Sequence, residues 1–142
     1  MDFEKLPADW PTIPLIDPNH IADVLDIFVG VGDRMAGSLL ILICDEQRRP
    51  VQPIIINDID TGASGDGYLH LAQIAQNVSE LRPEATAMCG IARRGSASVT
   101  NTDRLWAQTL ERAFAGYVQL LGVHLITLDG TVPIPRPVEE AA

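Results

Sequence analysis

The chain is 142 residues long, with 46% hydrophobic and 20% charged residues, which is the size of one domain and too apolar a mixture to stay unfolded. Ten lysines and arginines face nineteen aspartates and glutamates, a formal net charge of −9. That argues against a non-specific nucleic-acid or anionic-membrane surface, because counter-charge holds both.

Residues 1–16 hold Pro7, Pro11 and Pro14 around Trp10, so an extended arm is expected there rather than a helix. Trp10, Ile13, Leu15 and Ile16 give the arm an apolar side that must cover its own domain or a second chain. The acidic, proline-broken start does not have the pattern of a signal peptide. Asp17-Pro18 reads as an N-cap followed by proline at the first helical position. Ile21, Val24, Leu25 and Phe28 follow at helical spacing, and Gly30 and Gly32 are expected to end that helix.

The run Ser38 to Cys44 (SLLILIC) is apolar throughout, as a central strand buried on both faces requires. A polar turn over 45–50 leads to a returning strand, Val51 to Ile56, in which Pro53 indicates an edge or a bulge. Residues 57–67 form a polar, Gly-rich loop with Asp58, Asp60 and Asp66. A calcium loop of the EF-hand kind would need a closing glutamate that is absent.

Leu69, Leu71, Ile74, Ala75 and Val78 mark a helix over 68–81, closed by Arg82-Pro83. Ala85 to Ile91 is the third strand. Thr100 opens the longest helix, with Leu105, Trp106, Thr109, Leu110, Ala113, Phe114 and Tyr117 on its apolar side. Leu120 to Leu128 is the fourth strand, Asp129-Gly130 a tight turn, and Val132 to Ile134 the return strand. The expected fold is α/β, a mixed central sheet of five to six strands flanked by three helices. The arm spans 1–16, the domain 17–135 and a disordered tail 136–142.

Few residues suggest chemistry. Cys44 and Cys89 sit in apolar runs, outside any CxxC pair, and read as buried free thiols on neighbouring strands. With three scattered histidines they make no zinc framework. His20 is expected to be exposed, and His124 to be an edge-facing or hydrogen-bonded core histidine. No serine lies in a GxSxG context. The strand-to-helix turn is the richest segment. Arg93, Arg94, Ser96 and Ser98 precede a helix N-terminus, where free N–H groups can hold an anion. Thr100 and Asp103 in the same segment fit a local capping pattern.

The order of elements, the strand LLILICDEQRRPV, and the segment GIARRGSASVTNTD followed by a helix and LLGVHLITLDG resemble the RadC-type branch of the JAB/MPN (JAMM) domain, over about Ser38 to Ile134. The resemblance implies a cytidine-deaminase-like sheet. It places the family's two metal histidines on Gly90 and Ala92, its turn glycine on Gly95, its serine on Thr100 and its metal aspartate on Asp103. The catalytic glutamate falls close to Gly37 or Ser38, where no acid stands. A lone aspartate cannot hold catalytic zinc, which takes three protein ligands plus water.

The reading is therefore a metal-free, non-catalytic, cytoplasmic domain without a cofactor, acting through a protein partner or as a homodimer. Trp10 and Ile13 are the candidate partner contacts, and direct nucleic-acid or membrane binding is not expected. The alternative is a binder of an anion or small ligand, or a hydrolase, using the Arg93–Asp103 segment, with Arg93, Arg94, Ser96, Ser98, Thr100 and Asp103 as its residues.

Overall fold

The computed structural model describes residues 6–57, 59 and 68–136. Five strands form one mixed sheet: β1 (Ser38–Cys44), β2 (Pro50–Asn57), β3 (Thr86–Ala92), β4 (Gln119–Thr127) and β5 (Gly130–Pro133). Their spatial order is β2-β1-β3-β4-β5. β3 and β4 run parallel, and the other neighbouring pairs run antiparallel. Four helices accompany the sheet: α1 (Pro18–Phe28), α2 (Val31–Ala36), α3 (Tyr68–Leu81) and α4 (Asn101–Phe114).

Alternation along β1 divides the core in two. Leu39, Ile41 and Ile43 face Leu71 and Ala75 of α3 and Trp106, Leu110 and Phe114 of α4. Leu40, Leu42 and Cys44 face the other way, onto Ile21, Val24 and Leu25 of α1. Every residue of β1 and of β3 is buried, as expected for central strands with helices on both faces. The arrangement is thus three-layered. β2 is an edge strand, which accounts for Pro53, a residue with no N–H to donate.

The expectation for α1 holds at its start. The Asp17 carboxylate accepts the backbone N–H of His20 at 3.0 Å, with Pro18 in the first turn. The end differs. α1 stops at Phe28, and Gly30 opens a further short helix, so the described residues hold four α-helices rather than three. α2 was not legible because six residues carry too little helical signal. It exists through Arg34, whose guanidinium donates to the carbonyls of Val29, Asp26 and Thr127 and to the Asp26 carboxylate.

Other boundaries shift by a residue or two. The hairpin turn is Leu128-Asp129 rather than Asp129-Gly130, because Gly130 pairs with Thr127 as the first residue of β5. Leu69 is 80% exposed, and Leu105 and Tyr117 are exposed too. Leu69 stands two residues before the buried Leu71, which at about 100° per residue puts it on the opposite side of α3.

The arm is not wholly extended. Trp10–Thr12 forms one 3-10 turn. Trp10 meets Phe28 of α1 edge-on, with ring centroids 6.0 Å apart, and Leu6 and Leu15 are buried against the same layer. From Leu6 on, the arm thus covers its own domain. Ile13 is half-buried, whereas Ile16 is exposed. At the other end, Arg136 pairs with Glu111 at 2.8 Å and donates to the carbonyl of Leu120. Residues 137–142 lie outside the described residues, as does the acidic loop apart from Asn57 and Ile59.

Candidate functional site

The strand-to-helix segment leaves the sheet at Ala92. Arg93 still donates its backbone N–H to the carbonyl of Ile126, and α4 begins at Asn101. Thr100 and Asp103 close a capping box at that helix. The Thr100 hydroxyl accepts the Asp103 N–H at 3.2 Å, and the Asp103 carboxylate accepts the Thr100 N–H at 2.8 Å.

Arg93 turns back onto this cap. Its Nε donates to Asp103 Oδ1 at 2.9 Å and its Nη2 to Asp103 Oδ2 at 2.8 Å, a bidentate pair. The remaining reach of the guanidinium goes to the carbonyls of Arg94 and Ser98. The loop therefore wraps around Arg93. Gly95 sits inside it at a φ of +99°, and a Cβ there would lie 2.9 Å from Arg93 Nη1, so glycine is required for both backbone and space.

Asp103 is 1% exposed. Burial alone would raise its carboxyl pKa, but the hydrogen bonds from Arg93 and Thr100 and the charge of Arg93 outweigh burial and hold it below the ordinary carboxylate value. The same hydrogen bonding to Asp103 raises Arg93.

The other candidates are less engaged. Arg94 extends away and donates from Nε to the carbonyl of Met35 on α2 at 2.9 Å. Ser96 and Ser98 are exposed, and the Ser96 hydroxyl accepts the Ser98 N–H. The structure brings Arg93, Ser98, Thr100 and Asp103 together. Arg94 and Ser96 lie on the outside of the loop, and Trp10 and Ile13 belong to the N-terminal arm.

Gly90 and Ala92 lie on β3, facing the α1 layer. A Cβ on Gly90 would come within 2.5 Å of the Ile126 Cδ1 atom, so the space beside this position is already filled by apolar side chain. Among the described residues no three of His, Cys, Asp and Glu gather where they could hold a metal ion. Cys44 and Cys89 are buried free thiols on the neighbouring strands β1 and β3. Burial, with the Asp45 charge adding to it, pushes Cys44 up to about 12, and burial pushes Cys89 up as well. Both effects disfavour the thiolate, the form in which a cysteine is nucleophilic.

Sequence reasoning assigned no role to Arg34, whose setting in VGDRMAG carries no distinguishing signal. His124 is buried, as expected of a core histidine, but its Nδ1 has no hydrogen-bond partner among the described residues. Burial lowers its pKa to about 4. His20 is half-buried rather than exposed, and its Nε2 also lacks a partner there.

No family model, curated protein or solved structure matches this chain. No helix among the described residues is long and apolar enough to cross a membrane.

Proposed function

We propose that the chain is a metal-free, non-catalytic domain of the RadC-like JAB kind, acting in the cytoplasm as a self-associating module. The observation that carries the reading is the Arg93–Asp103 pair. Of the metal-ligand positions the resemblance assigns, only Asp103 bears a donor side chain, and both of its oxygens are already taken by Arg93 and by the cap of α4. Gly90 and Ala92 offer no donor, and the wall beside Gly90 is apolar. With the donor set reduced to one engaged carboxylate, zinc has no three-ligand frame.

Association is supported by β2. Among the described residues no strand pairs with its outer side. Its sequence PVQPIIIN has no charged residue in a chain of net charge −9. Val51, Gln52 and Pro53 are exposed and Ile54, Ile55 and Ile56 half-buried. Edges that stay in water are commonly guarded by charge, whereas an uncharged edge can pair antiparallel with its own copy about a two-fold axis. Trp10 serves the same reading by packing the arm on the domain beside this strand.

Two measurements test the reading. Elemental mass spectrometry on protein purified without chelator or metal-binding tag should give less than about one zinc per ten chains. Near one zinc per chain overturns the metal-free assignment. Sedimentation equilibrium should show a dimer that Val51→Lys together with Gln52→Lys converts to monomer. A monomer at concentrations up to ~100 μM, where even weak specific pairs associate, overturns self-association.

A further inference from the structure

Residues 6–13 of the N-terminal arm are tied to themselves rather than to the body of the domain. The Trp10 N–H donates to the carbonyl of Pro7, the Thr12 N–H and hydroxyl to that of Asp9, and the Ile13 N–H to that of Trp10. Among the described residues, none of 6–13 hydrogen-bonds to a strand or to α1. The first tie to the body comes at Leu15, whose N–H donates to the carbonyl of Arg48 in the β1–β2 turn at 2.9 Å. Between the two stands Pro14, which has no N–H and favours an extended residue before it. Ile13 is extended, at φ −92° and ψ 123°.

Side-chain burial is what holds this segment down. Leu6 is buried and Trp10 half-buried, whereas Pro7, Ala8, Asp9, Pro11 and Thr12 are exposed. The turn Trp10–Thr12 packs on β2, and Trp10, Phe28 and Ile55 join the apolar cluster of the α1 layer. Burial of a few side chains must therefore offset the entropy of ordering the whole segment. The strands and α1 have their own hydrogen bonds to add to burial, and the segment adds none to the body. Few buried contacts and no hydrogen bond to the neighbouring elements place it among the parts of a fold that open first.

We propose that residues 6–13 are a hinged strap, which turns at Ile13-Pro14 and lifts from Phe28 and Ile55 while the sheet and α1 stay folded. Leu15 stays seated, because its side chain is buried and its N–H is bonded to Arg48. Closed, the strap keeps an apolar strip of α1 and β2 from water. Open, it uncovers that strip beside the sheet edge, so its position sets when this face is accessible. The strap needs no second chain, and this proposal and the association reading can each fail alone.

The two tryptophans of the chain report on the two parts separately. Trp10 rides on the strap, and Trp106 is buried in the other core layer, on α4. The test follows both by ¹⁹F NMR of the full chain carrying fluorotryptophan, through a urea titration. The expected result is that the Trp10 signal reaches the position of a water-exposed ring at a midpoint at least about 1 M urea below that of Trp106. Trp10→Ala should release the strap outright. Binding of an anilinonaphthalene sulfonate dye, which reports exposed apolar surface, should then rise severalfold while the Trp106 signal keeps its native position. Should that variant not fold, the titration of the unaltered chain decides. Coincident midpoints for the two rings overturn the proposal, because the strap would then open only with the whole fold. So does unchanged dye binding in a folded variant, since no strip would have been uncovered.

Discussion

Arg93 Nη2 lies 2.8 Å from Asp103 Oδ2, in a pair whose side chains are 14% and 1% exposed. It joins the first residue beyond β3 to the first turn of α4, and so closes the loop between them around one guanidinium. Asp103 has two tasks, since the same carboxylate caps Thr100. Asp103→Ala should therefore cost about 3 kcal/mol, in the range for stranding one member of a buried pair. Urea denaturation measures it. A loss under about 0.5 kcal/mol would mean that the pair behaves as a surface contact. Arg93→Met spares the cap of α4 but strands the more deeply buried Asp103 charge, and should cost a similar amount.

His124 sets a pH dependence with a definite sign. Its pKa is about 4 in the native protein against an ordinary 6.5, so the unfolded chain binds the proton first. The stability this group contributes is complete above pH 6.5 and is lost as pH falls from there to about 4. The loss is on the order of 3 kcal/mol at about 1.4 kcal/mol per unit. His124→Leu should remove this part of the slope. It should also leave the protein at pH 7 as stable as before, or more so, because an orphaned Nδ1 disappears. Unfolding curves at pH 7, 6, 5 and 4.5 would show an unchanged slope in the variant if burial were not the cause.

Arg34 is 8% exposed, and its guanidinium reaches Thr127, 93 residues further along, at 2.8 Å. Arg34→Ala removes the donors for three carbonyls and the partner of Asp26, and should cost about 3 kcal/mol. Arg34→Lys should recover little of it, since an ammonium cannot span carbonyls set out for a planar fork. Hydrogen exchange should show the loss concentrated in Val31–Ala36. Uniform loosening would contradict the local role.

The thiols give a fourth test. With Cys44 pushed up to about 12 and both cysteines buried, neither should react with a disulfide reagent at pH 8 while the protein is folded. Both should react within minutes in denaturant. Fast labelling of one thiol in the native protein would reveal local opening of β1 or β3.

Much of the fold could be read along the chain where local chemistry is emphatic. Asp17-Pro18 announced α1, Thr100 and Asp103 announced α4, and the unbroken apolar run Ser38 to Cys44 announced a strand covered on both faces. The site was half legible. Thr100 and Asp103 were seen as a cap, and the arginines beside them as a cluster that could hold an anion. That Arg93 folds back onto Asp103, ten residues away, while Arg94 reaches Met35 could not be read from adjacency.

Composition, periodicity and capping signals by themselves determined an acidic chain of mixed α/β class, its strands and long helices, and its buried thiols, because these depend on residues within a turn or two of each other. Tertiary structure alone decided the existence of α2, the direction in which each arginine is spent and the destination of Trp10. Each of these depends on which groups meet across the fold, where an Arg34 finds a Thr127 or a Trp10 finds a Phe28, and such meetings leave no mark on neighbouring residues.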